Sequence, residues 1–485
     1  MQKWIEMSNE QPTAVFEVTP EAKSELTSLF PTASVTKAYE SCSDTWIPSQ
    51  FNVSVDLPDN KKAVYNTLTS ALTILRRDSW RKYFSRGSKY HVRGKSIRRP
   101  MHLLYAKGFF ISKNIDELEI VKQQFLFSRY RNDLLSLNVV PTLRCNLRCP
   151  YCFEGKAQIT RNCKSMSKET EQAVVDYIAR ISREKRRVQI VWFGGEPLLA
   201  VGAIERISTR IIPRFDRAGI EYHALLSTNG TLLTRSVVKL LHACKIFLLQ
   251  VTVDIPKSTK QDARGRDTRD KVLDNIAIAV EKLRIHIRIN CTQDNESEFV
   301  QLYDGLVRRN LHRRVQSINI ANVFEPECAR DCCVAPHIPQ QSYLQILRRE
   351  TARAKVLGLP FMTFVPLTKA SNGGCAATRD SCAAIGPDGL LYKCVEDLGL
   401  VDRAYGSIFL KRPTQFKNLI PWLNYDWFQY DMCKKCPVLP QCAGGCAHKR
   451  RFQSGKLKDD DHCYWFIRGN LENRIREFAL KSISV

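Results

Sequence analysis

Cysteines at short, regular spacings are the residues in this sequence most able to do chemistry. Cys145, Cys149 and Cys152, within TLRCNLRCPYCFEG, stand at CX3CX2C spacing. Three thiolates on one loop can hold three irons of a 4Fe–4S cube and leave the fourth iron open to a substrate or cofactor. A zinc ion would want a fourth donor to close its tetrahedron; Cys163, eleven residues on, is the nearest, and it lies beyond the loop's natural reach. A second group begins with Cys375, Cys382 and Cys394. It continues as Cys433, Cys436, Cys442 and Cys446 at CX2CX5CX3C spacing and ends at Cys463. Eight of the 18 cysteines thus fall between Ser371 and Cys463, in a segment rich in Gly and Pro. A segment so poor in periodicity needs covalent or metal staples to hold a shape, and a cytosolic chain does not keep its cysteines as disulfides. Iron–sulfur ligation and a zinc-knuckle arrangement both remain open on spacing alone. Cys42 is alone. Cys328, Cys332 and Cys333, in PECARDCCVAP, read as free thiols in a linker, with a redox pair or a cluster contact as alternatives. Cys244 and Cys291 follow apolar runs and read as packed small side chains. His448, in AHKRR, reads as a surface residue.

The first cysteine loop directly follows an apolar run, SLNVVP (136–141). Five more strand-like runs follow: VQIVWF (188–193), YHALLS (222–227), IFLLQVTV (246–253), IHIRIN (285–290) and QSINIAN (316–322), with an amphipathic stretch between successive runs. Ser167 stands as the N-cap of the first of these, with Glu169 and Glu171 in its opening turn. Strands alternating with helices predict a parallel sheet, and six such units in under two hundred residues predict a partial barrel. Ligands in such sheets sit at the strand C-terminal ends, where the cysteine loop lies.

Ahead of the barrel, residues 51–56 read as a strand and KKAVYNTLTSALTIL (61–75) as a strand running into a short apolar helix. HLLYAKGFFI (102–111) then leads into a helix opening at IDELEIV, which makes a small α+β unit. Residues 76–99 carry ten Lys or Arg against the single acid Asp78, interleaved with Trp80, Tyr83, Phe84 and Tyr90. Stacking on RNA is one reading of such a segment; no RNA-binding signature accompanies it, so a solvated loop or a peptide contact is preferred. Residues 341–357 read as a bridging helix and 465–480 as a closing one. The formal charge of +25 suits an acidic partner or nothing more than a basic surface. The 44% apolar content excludes disorder as the dominant state. No apolar run approaches the roughly 18 residues of a membrane span. MQKWIEMSNEQP is not a secretory signal, and the expected location is cytoplasmic.

The CX3CX2C loop resembles that of the radical S-adenosylmethionine (SAM) enzymes. Further motifs on successive strand ends extend the likeness over about residues 139–322: WFGGEPLL, STNGTLL, and IRIN with Asn295. The resemblance implies that Cys145, Cys149 and Cys152 hold a 4Fe–4S cluster. Gly194, Gly195, Glu196 and Pro197 would then meet the SAM amino group, with Ser227, Thr228 and Asn229 near its ribose and carboxylate; Arg288, in the IRIN match with Asn290, would also bind the cofactor. Glycines let backbone approach closely, and an ammonium needs an acceptor. One motif departs: after the fourth strand, related peptide-modifying members read DGP…HD, whereas this chain has Asp254, Ile255 and Pro256, then Gln261 and Asp262. The second cysteine group resembles the SPASM extension of radical SAM enzymes that modify peptides and proteins, including its Pro387-Asp388-Gly389 turn. That likeness implies two auxiliary 4Fe–4S clusters. One would take Cys433, Cys436, Cys442 and Cys463. The other would take Cys375, Cys394 and Cys446, with Cys382 as a candidate fourth ligand.

The expected architecture is therefore α/β. It comprises an N-terminal α+β domain (1–133), a partial (β/α)6 radical SAM barrel (134–323), a bridging segment (324–370) and a loop-rich Fe–S SPASM domain with a closing helix (371–485). The resemblance implies an enzyme that cleaves SAM reductively and modifies a ribosomal peptide, forming a thioether or carbon–carbon cross-link. Its N-terminal domain would be winged-helix-like and bind a leader peptide, and its electrons would come from a flavodoxin- or ferredoxin-type reductase. A sulfatase-maturing type that makes formylglycine is the alternative. That subfamily carries an Asp directly after the cysteine equivalent to Cys394, where this chain has Val395, then Glu396 and Asp397. An RNA-modifying radical enzyme is a further reading, against which the SPASM pattern argues. No residue is assigned as the catalytic acid or base.

Overall fold

The structure is a computed structural model. It describes residues 45–84, 89–91, 99–149, 152, 165–253, 268–291, 298–322, 338, 340–362, 374–452 and 465–483. Cys42, Cys163, Cys328, Cys332, Cys333, Cys463, Asn295 and the Asp254–Asp262 motif, each weighed above, lie outside the described residues.

Two antiparallel three-stranded sheets open the fold. One is β2 (Asn52–Leu57), β3 (Lys61–Asn66) and β4 (Leu72–Arg76) in that order; the other is β5 (Tyr90–His91), β1 (Thr45–Pro48) and β6 (Phe110–Ser112). Helices α1 (Arg77–Phe84), α2 (Arg99–Ala106) and α3 (Glu117–Arg129) accompany them. Two expectations are corrected here. Residues 61–75 form a β-hairpin, not a strand running into a helix. The Asn66 side-chain oxygen accepts from the Leu68 and Thr69 amides at 3.1 and 2.9 Å, and Ser70 turns at φ 62°, so the chain reverses and pairs back. The described part of the basic 76–99 segment is not an open loop. It includes α1; Trp80 donates to Ser54 Oγ at 3.1 Å beneath the Lys62 ammonium, while Phe84 and Tyr90 pack on Phe110. Trp80, Tyr83, Phe84 and Tyr90 are thus partly buried and packed against the cluster that holds Phe110.

The expected barrel is present. Its parallel strands are β7 (Leu134–Val139), β8 (Arg187–Trp192), β9 (Glu221–Thr228), β10 (Ile246–Thr252), β11 (Arg284–Cys291) and β12 (Ser317–Asn322), adjacent in sequence order. Between them run α4 (Lys168–Ile181), α5 (Val201–Ala218), α6 (Arg235–Ala243), α7 (Arg269–Ala279) and α8 (Phe299–Arg308). Ser167 Oγ caps α4 by accepting from the Thr170 amide at 3.1 Å. Alternate residues of each strand point outward to these helices. Ile285, Ile287 and Ile289 of β11 are fully buried with Leu302 and Leu306 of α8 in the main core. Their neighbours His286, Arg288 and Asn290 therefore line the lumen.

The sheet does not stop at six strands. Beyond β7 lies β13 (Cys382–Ile385), parallel to it with Cys382 opposite Ser136, followed by antiparallel β14 (Leu390–Tyr392) and β15 (Gly406–Ser407). The bridging helix is α9 (Gln340–Val356). The cysteine-rich segment carries α10 (Phe416–Leu423) and the short helices α11 (Asp431–Lys434), α12 (Leu439–Cys442) and α13 (Ala447–Phe452). The closing helix α14 (Trp465–Ile483) buries Leu471, Ile475 and Ala479 against Val53, Val55 and Tyr65 of the first sheet, and Val438 joins the same cluster. Among the described residues no helix is long and apolar enough to cross a membrane.

Candidate active site

The loop after β7 is shaped by its own backbone. Thr142 Oγ1 accepts from the Arg144 amide at 3.1 Å, the Leu147 amide points at Cys145 Sγ at 3.4 Å, and the Cys152 amide bonds Cys149 O at 3.1 Å. Leu143 and Leu147 are buried, while Cys145, Cys149 and Cys152 stay half-exposed and reachable. Three half-exposed thiols with an N–H aimed at one sulfur fit the triad a 4Fe–4S cluster needs.

The β8 loop lies directly on this one. The amides of Gly195 and Glu196 donate to the carbonyls of Thr142 (3.2 Å) and Arg144 (2.8 Å). A Cβ on Gly195 would stand 2.4–2.5 Å from the carbonyl oxygens of Arg144 and Leu143; one on Gly194, at φ 129°, would stand 2.3 Å from Thr142 O. The glycines thus allow two loops to touch at a distance no side chain permits.

Glu196 is bonded within the protein. It is fully buried, and its carboxylate accepts from the Leu198 amide (3.0 Å), the Thr228 hydroxyl (2.8 Å) and the Asn229 amide (2.8 Å). Those donors tie the β8 loop to the β9 loop. Asn229 is also engaged in the protein. Its Nδ2 donates to Asn146 Oδ1 at 2.8 Å and faces Cys145 Sγ at 3.9 Å, while its Oδ1 accepts from the Thr231 amide and hydroxyl. Both side chains, expected on SAM, are engaged in hydrogen bonds: Glu196 joins the β8 and β9 loops, and Asn229 joins the β9 loop to the cysteine loop. Pro197, also expected on SAM, is buried at the head of a 3-10 turn (Pro197–Ala200).

Ser227 and Arg288 face the lumen. Ser227 Oγ accepts from Gln250 Nε2 at 3.1 Å, and Arg288 Nε donates to Asn290 Oδ1 at 2.9 Å. Sequence reasoning missed Gln250, His286 and Asn319, which share this wall. The signal was present in IHIRIN, where polar side chains alternate with isoleucines. His286 Nδ1 lies 2.7 Å from Ser317 Oγ, and burial pulls its pKa down to about 4, so the ring is neutral at pH 7.

The second cysteine group assembles against the barrel. Burial pushes the Cys375 thiol up to about 11, with the nearby Cys446 and Cys382 adding to the rise; Cys394 is raised well above its ordinary value by burial and then by Cys375. Cys375 thus lies within electrostatic range of Cys382, Cys394 and Cys446, although among the described residues no three such side chains are gathered closely enough to hold a metal ion. Buried thiols of this kind ionise only with a cation or cluster to hold the charge, which is the fit an iron–sulfur centre requires. Cys382 stands inside this group. The buried Lys393 ammonium donates to its carbonyl at 2.6 Å. Glu396 stands in the 3-10 turn after Cys394. Desolvation and the neighbouring Asp397 raise its carboxyl pKa against the pull of His448, Lys449 and Arg288. His448 is not a surface residue: it is buried, 3.4 Å from Asp397 and stacked on Trp422. Cys433 and Cys436 are joined by an amide–carbonyl bond of 3.1 Å, and Cys442 ends α12. Cys244 and Cys291 are buried as expected.

Residues 139–306 match the model of the Radical SAM superfamily. The cysteine-type anaerobic sulfatase-maturating enzyme of Clostridium perfringens is 25% identical over 67% of this chain and 91% of its own length. The radical SAM cyclopropyl synthase TigE of Paramaledivibacter caminithermalis is 21% identical over 73% of this chain and 78% of its own. The solved structure of native anSMEcpe with bound AdoMet superposes at a TM-score of 0.54 with 19% identity, covering 72% of this chain and 97% of that one; it supports the fold. With the cysteine loop, the glycine loop and the barrel in this arrangement, residues 139–306 are a radical SAM domain, and the chain that carries it is an enzyme.

Proposed function

We propose that this radical SAM enzyme is a maturase acting on a peptide or protein, with one SAM-binding 4Fe–4S cluster on Cys145, Cys149 and Cys152 and two auxiliary clusters. The cluster supplies the electron that cleaves SAM. The chain's own part is to hold the three thiols, to close the two loops on each other and to line the lumen with Ser227, Gln250 and Arg288. The observation that carries the reading is the seat of the second cysteine group. Cys382 begins β13, which pairs with barrel strand β7. An auxiliary cluster there would stand next to the lumen, where an electron leaves a substrate radical.

Within this class, a ribosomal precursor peptide gaining a thioether or carbon–carbon cross-link is the preferred substrate, with a leader held by the N-terminal domain and a flavodoxin- or ferredoxin-type donor. Formylglycine formation on a sulfatase is the second reading. It is favoured by the clostridial relative, matched over nearly its whole length. An anaerobic assay separates the two. Dithionite-reduced enzyme, SAM and either a sulfatase-type Cys or Ser peptide or a precursor peptide are incubated, and 5′-deoxyadenosine and peptide mass are measured. An aldehyde on the sulfatase-type peptide establishes the second reading. Loss of two hydrogens without an aldehyde on a precursor peptide establishes the first. 5′-Deoxyadenosine without any change in either peptide overturns both.

A further inference from the structure

Arg450, in α13, is 4% exposed. Its Nη2 lies 3.4 Å from Cys433 Sγ, its Nε donates to Gly444 O at 3.1 Å, and the guanidinium stacks over the Tyr430 ring at 4.1 Å. Among the described residues no carboxylate forms an ion pair with it, whereas Arg403, Arg206 and Arg309 each have one. A guanidinium stays charged under all ordinary conditions, and a buried charge needs a counter-charge. The side-chain acceptor in reach is the sulfur of Cys433. Lys393, beside the other cysteine group, is arranged otherwise: its ammonium donates to the carbonyls of Arg379 and Cys382, not to sulfur.

We propose that Arg450 is a redox-tuning residue for the auxiliary cluster held by Cys433 and Cys436. Its N–H bond to the ligand sulfur stabilises the state carrying one added electron over the oxidised state. The inference rests on the reading that these cysteines are cluster ligands. Hydrogen bonds to cluster sulfurs and local charge set iron–sulfur potentials. A fixed cation at 3.4 Å, dry and backed by an aromatic face, acts in one direction: it makes this cluster the better electron acceptor. Nε on Gly444 O and the Tyr430 ring hold the fork in place, so the donor does not swing away when the charge on sulfur changes.

The test is an EPR-monitored redox titration of reconstituted enzyme without SAM or substrate, with iron counted in parallel. Arg450→Met should shift the Cys433 cluster toward the oxidised form at least tenfold at fixed potential, which is about 59 mV for one electron. Arg450→Lys, which keeps the charge, should return most of that shift. An unchanged midpoint in Arg450→Met at full iron content overturns the proposal. Should Arg450→Met lose its cluster, Arg450→Lys and Arg450→Gln decide: a lower midpoint in Gln than in Lys sustains the proposal, and equal midpoints sink it. Cys433→Ala in the same assay tests the underlying reading. If that variant keeps all its iron, the ligand assignment has failed, and the tuning role falls with it.

Discussion

Replacing Glu196 by Gln tests whether this buried carboxylate positions the site. The change keeps the size and removes one acceptor. With the amide oxygen turned toward Leu198 and Thr228, its NH2 faces the Asn229 amide, now 2.8 Å from an acceptor. Turned the other way, the NH2 faces the Leu198 amide, while the Thr228 hydroxyl can rotate. One backbone N–H is left without an acceptor in either case, at about 1–3 kcal/mol, and the surviving bonds each lose roughly 1 kcal/mol of charge assistance. The neutral amide recovers part of the desolvation that a buried carboxylate costs. The net is about 2–4 kcal/mol, placed on the link between the β8 and β9 loops. At 1.4 kcal/mol per decade, opening of that link should rise roughly 30- to 1000-fold. Hydrogen exchange at the Asn229 amide reads this opening directly, and SAM affinity should fall with it, because Asn229 also holds Asn146 of the cysteine loop. Unchanged exchange at Asn229 in a variant that retains its iron would show that the carboxylate does not hold the loops, and the argument would fail.

Other outcomes follow from the same geometry. Gly195→Ala, whose Cβ meets two carbonyl oxygens at 2.4–2.5 Å, should cost about 1–3 kcal/mol and weaken SAM binding, whereas Gly219→Ala, with open space around it, should carry only backbone strain of about 1 kcal/mol and leave SAM binding alone; isothermal titration and thermal melts compare them. Changing Cys145, Cys149 and Cys152 together to Ala should remove about four of about twelve irons on reconstitution; a zinc-only protein would refute the cluster reading. The His286 pKa is depressed to about 4, below its unfolded value, so the unfolded chain binds the proton first. Stability should fall as pH drops from about 6.5 to about 4, by at most ~1.4 kcal/mol per pH unit, and His286→Gln should flatten that part of a denaturation series. Tyr65 accepts from Gln441 at 3.0 Å and Thr67 donates to Pro437 O. The pair Tyr65→Phe with Thr67→Val should therefore lower iron retention at Cys433 and Cys436 while the first cluster stays; equal retention of both clusters would deny the N-terminal sheet a supporting role there.

Local chemistry was legible from the chain. The CX3CX2C loop, the paired glycines and the six apolar runs each carry their meaning within a few residues, because cluster ligation, close backbone approach and strand periodicity are short-range demands. The partial barrel followed from their order. Tertiary structure decided what depends on residues far apart. Glu196 looks like a free acceptor until Thr228 and Asn229, more than thirty positions away, arrive to consume it. Residues 61–75 have an apolar run that suits helix or strand, and pairing with β2 together with the Asn66 turn settles it as a hairpin. Arg450 reads as part of a basic surface run, yet folding buries it against Cys433 with no carboxylate to pair it. The partner of β7 on its open edge is a strand almost 250 residues later, and the closing helix packs on the first sheet of the chain. No local pattern encodes such contacts. They are selected by which apolar faces remain uncovered once the local elements have formed, and that is settled only when the whole chain packs.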